Sequence, residues 1–223
     1  MNKKLLFQAL IKLLFGVLIV GFLLFIPAHS FKYWNGWLFM GLLFIPMFIA
    51  GIILMIKNQE LLKKRLNAKE KEIEQKHIIL YSGLMFISGF IIAGLNYRYS
   101  WIQLPNIVVI ISSILFIIAY ILYAEVLREN AYLSRTIEVQ ENQKVIDTGL
   151  YRIVRHPMYA VTIVLFLTIP LILGSILSFL IFLIYPILIA KRIKNEEMVL
   201  ERDLKGYSEY KKKAKYKLIP FVW

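Results

Sequence analysis

The sequence contains no cysteine, and this absence excludes several kinds of chemistry. Without thiols the chain can form no disulfide, no thiolate metal site and no cysteine nucleophile. No internal repeat and no low-complexity tract is apparent either, so a repeat architecture is not expected. We expect no metal cofactor, and any catalytic chemistry must use other side chains. The lack of cysteine fits any redox environment and therefore says nothing about compartment.

Ionisable residues are nearly absent from the long apolar stretches; Lys12 and Glu125 are exceptions, and both lie near the ends of such stretches. Hydrophobic residues make up 59% of the chain and the mean hydropathy is +0.66, which indicates lipid rather than water as the solvent. The net charge of +13 would suit nucleic acid, but the charges lie between the apolar stretches, so no nucleic-acid partner is expected. Because transporters and channels usually carry ionisable residues within their spans, an ion-conducting path is not favoured.

Four apolar stretches reach the length of about 20 residues that crosses a bilayer. They predict membrane helices at Leu5–Ile26, Trp34–Ile56, Ile78–Leu95 and Leu104–Leu127. A fifth block, Met158–Ala190, is too long for one span and is interrupted at Gly174-Ser175, so it predicts a helical hairpin. We therefore expect an all-α, polytopic integral membrane protein with about five to six transmembrane helices and a cytosolic C-terminal helical cap. The first stretch is expected to be a retained span, since it is too long for a cleaved signal peptide.

The distribution of lysine and arginine predicts the orientation of these spans. The two long connections carry Lys57, Lys63, Lys64, Arg65, Lys69, Lys71, Lys76, Arg128, Arg135, Lys144, Arg152 and Arg155. The C-terminal tail is also basic, whereas the opposite side carries only Lys32 and Arg98. By the positive-inside rule, both termini and both long connections are expected in the cytosol. We expect a multi-pass protein of a prokaryotic plasma membrane, in contact with membrane lipids.

The connection Leu61–Lys76 mixes lysine and glutamate with few apolar residues. Such a segment is typical of a solvated helix or loop at the lipid headgroups, and its charges need no function. We treat residues 1–223 as a single membrane domain. Residues 1–127 are expected to form a four-span scaffold, and residues 128–223 are expected to form the catalytic segment.

The C-terminal third carries polar motifs on both sides of the apolar hairpin. They are Asp147-Thr148-Gly149, Tyr151, Arg155-His156-Pro157-Met158-Tyr159, Arg192-Ile193-Lys194-Asn195-Glu196-Glu197 and Gly206-Tyr207-Ser208-Glu209-Tyr210. Pro157 suits the first turn of a helix, which places His156 at the N-cap. Arg192 and Glu196 are four residues apart and therefore share one helical face.

Each of these residues also has a structural explanation that requires no function. His156 before a helix-starting proline is often only a cap, and Arg192 with Glu196 can be a simple i,i+4 pair. Tyr151 and Tyr159 can be interfacial aromatic residues. Taken one at a time, the residues do not decide between the two interpretations.

The order of the motifs, in contrast, resembles a known family. Gly-x-Tyr, Arg-His-Pro-x-Tyr, an apolar hairpin, Arg-x-x-x-Glu-Glu-x-x-Leu and a Gly-Tyr-x-x-Tyr tail look like the isoprenylcysteine carboxyl methyltransferase family. The related phospholipid N-methyltransferases share much of this pattern. Upstream, Asn130-Ala131-Tyr132-Leu133-Ser134 and Glu138-Val139-Gln140 resemble the entry to the same segment. The resemblance covers about Glu129 to Trp223.

The resemblance implies S-adenosyl-L-methionine as the cofactor and a lipophilic methyl acceptor that enters from the bilayer. The catalytic residues carried over by motif are Arg192, expected at the acceptor, and His156. The cofactor-binding residues carried over are Gln140, Gln143, Lys144, Val145, Ile146, Tyr151, His156, Pro157, Met158, Tyr159 and Glu196. The acceptor is a carboxylate or an amine. An amine would need its proton removed, for which His156 or Glu196 is the nearest candidate.

Two positions depart from the family pattern. Val161 stands where a glycine is frequent, two residues after the tyrosine of Arg-His-Pro-x-Tyr, and a β-branched side chain there can narrow a helix contact or a pocket wall. Lys217 stands where many relatives have arginine before Leu-Ile-Pro, which keeps the charge and loses bidentate geometry.

Two other functions remain open from the sequence. One is an NADPH-dependent membrane reductase, because sterol reductases resemble this family in their C-terminal architecture, although the chain shows no extended dinucleotide-phosphate cluster. The other is a non-catalytic accessory protein of the membrane. The accessory protein would have no affinity for S-adenosylmethionine and would be indifferent to His156→Ala and Glu196→Ala.

Overall fold

The structure is a computed structural model that describes residues 3–67, 70, 72–134, 136–137 and 139–223. Lys69, Lys71 and Arg135 of the predicted basic connections, and Glu138 of the motif, lie outside the described residues. The described residues form helices and no strand. The helices are α1 (Lys3–Ala28), α2 (Trp34–Lys57), α3 (Gln59–Leu66), α4 (Ile73–Tyr99), α5 (Asn106–Glu129), α6 (Pro157–Ile172), α7 (Ile176–Phe182), α8 (Ile184–Asp203) and α9 (Tyr207–Lys213), with a 3-10 turn at Gly149–Arg152.

Five helical segments are long and apolar enough to cross a membrane, so the all-α polytopic prediction is confirmed. They are α1, α2, α4, α5 and the segment Ile176–Asp203, which joins α7 to α8. The predicted spans are present, although α5 begins at Asn106 instead of Leu104, after Pro105. The largest extension is at α4, which begins at Ile73 instead of Ile78. This extra turn places Gln75 in the bundle, where it is fully buried.

The predicted hairpin is formed by α6 on one side and by α7 and α8 on the other. The turn lies at Gly174, whose φ of 73° is in the left-handed region that favours glycine. The 16 residues of α6 span about 24 Å, less than the hydrocarbon thickness of about 30 Å. The second arm is interrupted at Leu183. Pro186 explains the interruption, because it lacks the N–H that would bond the Phe182 carbonyl and its ring crowds that carbonyl.

The tip of the hairpin is buried and held by side chains from other spans. The Tyr33 hydroxyl donates to the Leu173 carbonyl over 2.6 Å, and Asn35 Nδ2 donates to the Ile172 carbonyl over 2.8 Å. Asn96 Nδ2 lies 3.5 Å from the Gly174 carbonyl. These donors satisfy carbonyls that the end of α6 leaves without helical partners. The short helix therefore ends inside the protein rather than in lipid.

The core of the bundle is aromatic and aliphatic. It packs α6 against α5, α1 against α4 and α7 against α4. Buried phenylalanines from four helices meet there: Phe39, Phe90, Phe116 and Phe182. Because this core fixes the ends of α4, α5, α6 and α8 relative to one another, it also fixes the side chains that those ends carry.

The connection Leu61–Lys76 differs from its predicted solvated state. Residues 59–66 form α3, whose Leu61 and Leu62 are buried, and Glu70 and Gln75 are buried as well. The helix is amphipathic, so its apolar face packs on the bundle, while Lys63 is exposed and the half-buried Lys64 bonds Gln140. The low apolar content of the segment concealed this packing.

Candidate functional site

A polar cleft lies at the end of the bundle where α4 and α6 begin and α5 and α8 end. Its empty volume is about 840 Å³, counting the part open to solvent. The walls come from the segment after α5, the 3-10 turn, the start of α6, one face of α8 and α9. On α8 the residues Arg192, Glu196 and Leu200 line the cleft, and their spacing of four residues separates them by about 6 Å each along the helix. The cleft therefore runs along α8.

The Tyr159 hydroxyl joins the two charged groups of α8. It donates to Glu196 Oε2 over 2.5 Å and accepts from Arg192 Nε over 2.8 Å. Tyr159 is 5% exposed, so both bonds lie in a largely dry environment. Arg192 and Glu196 are thus connected through a tyrosine of α6, and a direct i,i+4 pair does not account for their positions.

The neighbouring Glu197 has a structural role, because it links α8 to the start of α6 and to the C-terminal tail beneath the cleft. Its Oε1 lies 2.7 Å from Arg155 Nε and 3.2 Å from His156 Nε2. Its Oε2 lies 3.3 Å from Lys217 Nζ. Glu197, Arg155 and His156 are each less than 9% exposed. A buried carboxylate with these partners is compensated, whereas the same group alone would be strongly unfavourable.

Arg155 and the backbone beside it attach the C-terminal tail to the start of α6. Arg155 Nη1 donates to the carbonyls of Ala214 and Lys215 over 2.8 and 2.9 Å. The backbone N–H groups of Arg155 and His156 donate to the Tyr216 and Lys217 carbonyls, each over 2.9 Å. These bonds keep α9 against the cleft, in agreement with the expected helical cap.

His156 lies at the N-cap of α6 with Pro157 in the first turn, as predicted. Its ring makes no capping bond to the helix backbone and instead faces Glu197. The structural explanation of His156 as a cap alone is therefore incomplete. The Glu197 carboxylate fixes the orientation of a ring that lines the cleft.

Tyr151 lies on the 3-10 turn and is buried against the segment after α5. Its hydroxyl accepts from Asn130 Nδ2 over 3.0 Å, and its backbone carbonyl accepts from the Tyr210 hydroxyl over 2.7 Å. Burial raises the pKa of Tyr151, so the phenol is neutral at physiological pH. Its ring is not an exposed belt residue, since 7% of the residue is accessible.

Most of the residues carried over by motif meet at this one cleft. Those that line it are Gln143, Lys144, Val145, Ile146, Tyr151, His156, Met158, Tyr159, Arg192 and Glu196. Pro157 does not line it and serves to start α6. Gln140 does not line it either, because its side-chain amide accepts from Lys64 Nζ over 2.6 Å and donates to the Tyr132 carbonyl over 2.6 Å. Gln140 thus lies behind the cleft wall.

Several site residues were not among the predicted catalytic and cofactor-binding residues, although Asn130 belongs to a motif noted in the sequence. Gln75 accepts from Arg192 Nη1 over 3.1 Å and is fully buried, although it lies in the segment expected to be solvated. Asn130 and Tyr207 also line the cleft. A signal existed for Tyr207, which belongs to the Gly-Tyr-x-x-Tyr tail. No periodicity or spacing pointed to Gln75.

The two departures from the family pattern have visible consequences. Val161 is 7% exposed and belongs to the hydrophobic core, where it packs with Tyr159 and Tyr185 in the same cluster. Lys217 makes a single ammonium contact to Glu197 and lies 5.1 Å from the centre of the Trp223 ring. The lysine therefore keeps the ionic link of the tail to α8 without bidentate geometry.

The fold and the cleft together define a polytopic, all-helical membrane protein with a cleft of polar and apolar side chains at the end of its bundle. Residues 111–202 match the model of the isoprenylcysteine carboxyl methyltransferase (ICMT) family. The match contains Tyr151, His156, Tyr159, Arg192 and Glu196, and it confirms the resemblance seen in the motifs. It indicates a membrane methyltransferase. No curated protein sequence matches the chain significantly.

Proposed function

We propose that the protein transfers a methyl group from S-adenosylmethionine to a lipophilic acceptor at the cytosolic face of the membrane. The observation that carries this proposal is the assembly, in one cleft, of residues from both sides of the hairpin. Tyr151, Tyr159 and Glu196 are separated in the chain and line the same cleft, where the Tyr159 hydroxyl donates to Glu196. The family match supports the methyl transfer itself.

The chemistry of the cleft suits an S-adenosyl compound. Glu196 offers carboxylate oxygens to ribose hydroxyls, and the tyrosine rings offer faces that attract a sulfonium. Phenols kept neutral by burial do not become competing nucleophiles. Methyl transfer needs the two reactants held in line, so a rigid cleft that positions both contributes much of the rate.

The surroundings of Arg192 favour an acceptor with a carboxylate at its reacting end. Gln75 Nε2 is buried and, among the described residues, has no hydrogen-bond partner, while Gln75 Oε1 accepts from Arg192. A guanidinium beside an uncommitted amide N–H is a site for an oxyanion. The residues nominated as bases are engaged, His156 by Glu197 and Glu196 by Tyr159. An amine acceptor would need a base, His156 Nδ1 or the second oxygen of Glu196, whereas a carboxylate acceptor needs none.

With a carboxylate acceptor the reaction balances without a proton transfer. The carboxylate oxygen forms a bond to the methyl carbon, the carbon–sulfur bond breaks, and its electron pair remains on sulfur. The products are a methyl ester and a neutral thioether. Arg192 then holds the acceptor oxygen that does not react, and Glu196 holds the cofactor one helical turn away.

Titration calorimetry of the detergent-purified protein with S-adenosylhomocysteine tests the cofactor. We expect binding by the wild type and its loss in Glu196→Ala. Glu125→Ala is the control, because Glu125 is an exposed glutamate that pairs with Arg128 at the end of α5. Absence of binding by folded wild-type protein would refute the proposal. Binding of NADPH instead would favour the reductase.

A label-transfer assay tests the acceptor. Two lipids with the same apolar chain, one ending in a carboxylate and one in an amine, are incubated with methyl-labelled S-adenosylmethionine and the protein. We expect label in the carboxylate lipid, in a form released by mild base as methanol. Base-stable label in the amine lipid alone would refute the carboxylate assignment and leave methyl transfer in place.

A further inference from the structure

The C-terminal tail carries two tyrosines three residues apart, and their hydroxyl groups have different environments. The Tyr210 hydroxyl donates to the Tyr151 carbonyl over 2.7 Å. The Tyr207 hydroxyl is buried and has no hydrogen-bond partner among the residues that the structure describes. Both side chains line the cleft, and Tyr207 is 4% exposed. Since buried hydroxyls in proteins are nearly always paired, the unpaired one requires an explanation.

The position of Tyr207 is set by the backbone. α8 ends at Asp203, and Gly206 has a φ of 87°, which permits the sharp turn into α9. Tyr207 is the first residue of α9, and it packs with Leu204, Val145 and Leu200 at the end of the cleft. A side chain held by these contacts cannot turn outward to water without disturbing the tail.

The cleft has unequal ends. Arg192 lies at one end, Glu196 follows one turn later on α8, and Leu200 and Leu204 follow beyond it. The end at Arg192 is charged, whereas the end at Tyr207 is lined by aliphatic side chains. Burial and the nearby carboxylates of Glu196 and Glu197 raise the pKa of Tyr207, so its hydroxyl keeps its proton and can donate.

We infer that Tyr207 binds the nucleoside part of the S-adenosyl cofactor, with its hydroxyl as a polar contact beside the aliphatic side chains at that end of the cleft. This inference rests on the proposed function. The Tyr207 hydroxyl donates to, or accepts from, the nucleoside, while Glu196 holds the ribose and the reacting end lies toward Arg192. Tyr210, in contrast, is a positioning residue that fastens α9 to the 3-10 turn.

Matched Tyr→Phe substitutions at the two positions test the inference, because each removes one oxygen atom. In Tyr207→Phe we expect the Kd for S-adenosylhomocysteine to rise about tenfold, while the Tm of the ligand-free protein stays the same or rises, since an unpaired buried hydroxyl has been removed. In Tyr210→Phe we expect the ligand-free Tm to fall, because the Tyr151 carbonyl loses its partner. Tyr120→Phe, in the bundle away from the cleft, is the control for ligand binding.

A second ligand, 5′-methylthioadenosine, tests which part of the cofactor Tyr207 contacts, because it keeps the nucleoside and lacks the amino-acid group. We expect Tyr207→Phe to weaken its binding by about the same factor as that of S-adenosylhomocysteine. An unchanged Kd for both ligands, with the wild type binding normally, would overturn the inference and leave the proposed function standing. A loss seen only with S-adenosylhomocysteine would overturn the nucleoside assignment. A Tm loss as large as that of Tyr210→Phe would show a structural role instead, and a wild type that binds neither ligand would refute both proposals.

Discussion

The two ends of the helical bundle differ in whether their buried polar side chains have hydrogen-bond partners. At the hairpin tip, Tyr33, Asn35 and Asn96 direct their donors to the carbonyls that α6 and the turn leave open. At the other end, two buried side-chain atoms have no partner among the described residues, Gln75 Nε2 and Tyr207 Oη. No other described side chain has such an unpaired buried atom.

This difference separates groups that serve the fold from groups that serve a ligand. A fully paired tip stabilises the hairpin, and its hydrogen bonds have nothing to offer to another molecule. Unpaired buried donors cost free energy in the absence of a ligand, so their retention is explained when a ligand supplies the missing partners. Both unpaired atoms lie beside the groups assigned to methyl transfer, Gln75 at Arg192 and Tyr207 near Glu196.

The largest effect is expected for Glu197→Gln, which would break the buried ionic cluster under the cleft. Arg155 would keep its charge in a buried environment without the compensating carboxylate. We expect a loss of about 3–5 kcal/mol in the free energy of unfolding, measured in denaturant on the detergent-solubilised protein. Glu125→Gln is the control, because the Glu125–Arg128 pair is exposed, and it should leave stability unchanged. A stable Glu197→Gln protein would contradict the structural role of the cluster.

Tyr159→Phe should disconnect Arg192 from Glu196 without removing a charge. Hydrogen bonds to charged groups contribute about 1.5–3 kcal/mol, so we expect methyl transfer to fall by about 10- to 100-fold. The affinity for S-adenosylhomocysteine should fall as well, since Glu196 loses the donor that orients it. Tyr185→Phe provides a comparison on α8, because the Tyr185 hydroxyl donates to the neutral hydroxyl of Thr162 over 3.3 Å. Equal rates in Tyr159→Phe and the wild type would remove Tyr159 from the site.

Gln75→Met should separate acceptor binding from cofactor binding. The substitution keeps the length of the side chain and removes both polar atoms. We expect the KM for the acceptor to rise about tenfold, while the Kd for S-adenosylhomocysteine remains within about twofold. A change in the cofactor Kd with an unchanged acceptor KM would contradict the oxyanion site next to Arg192.

The smallest effect is expected at the hairpin tip. Tyr33→Phe leaves the Leu173 carbonyl unpaired in a buried place, so we expect a loss of about 1 kcal/mol in the free energy of unfolding. Cofactor affinity should not change, because the tip lies at the opposite end of the bundle. Tyr81→Phe, at an exposed position of α4, is the stability control. If Tyr33→Phe weakened cofactor binding as much as Tyr207→Phe, the conclusion that the hairpin tip serves the fold and the cleft serves the ligand would be refuted.

Sequence patterns predicted the spans and the hairpin well, for a physical reason. A helix that crosses a bilayer needs about 20 apolar residues regardless of its tertiary contacts, so each span can be recognised from its local sequence. The interruption at Gly174-Ser175 was equally local. The motif order predicted which residues meet, and the positions of Tyr151, His156, Tyr159, Arg192 and Glu196 agree with it. Their roles toward a cofactor and an acceptor stay predictions.

Polar residues outside the motifs could not be predicted in the same way. The segment Leu61–Lys76 was expected to be solvated because its composition is polar. Yet Gln75 is fully buried, since α4 begins at Ile73 and carries the amide to Arg192, 117 residues away in the chain. Gln140 shows the opposite error. It was predicted to line the cofactor pocket, but its side chain bonds Lys64 behind the cleft wall. Neither partner is near in sequence.

The sequence by itself determined the solvent, the approximate positions of the spans, the hairpin and the set of motif residues, because hydropathy and local turn chemistry are properties of short segments. Only the tertiary structure showed what Glu197 does, because no motif assigned a role to this neighbour of Glu196. Glu196 and Glu197 are adjacent and chemically identical, but successive residues on a helix point about 100° apart. Glu196 therefore meets Tyr159 in the cleft, while Glu197 meets Arg155, His156 and Lys217 in the interior.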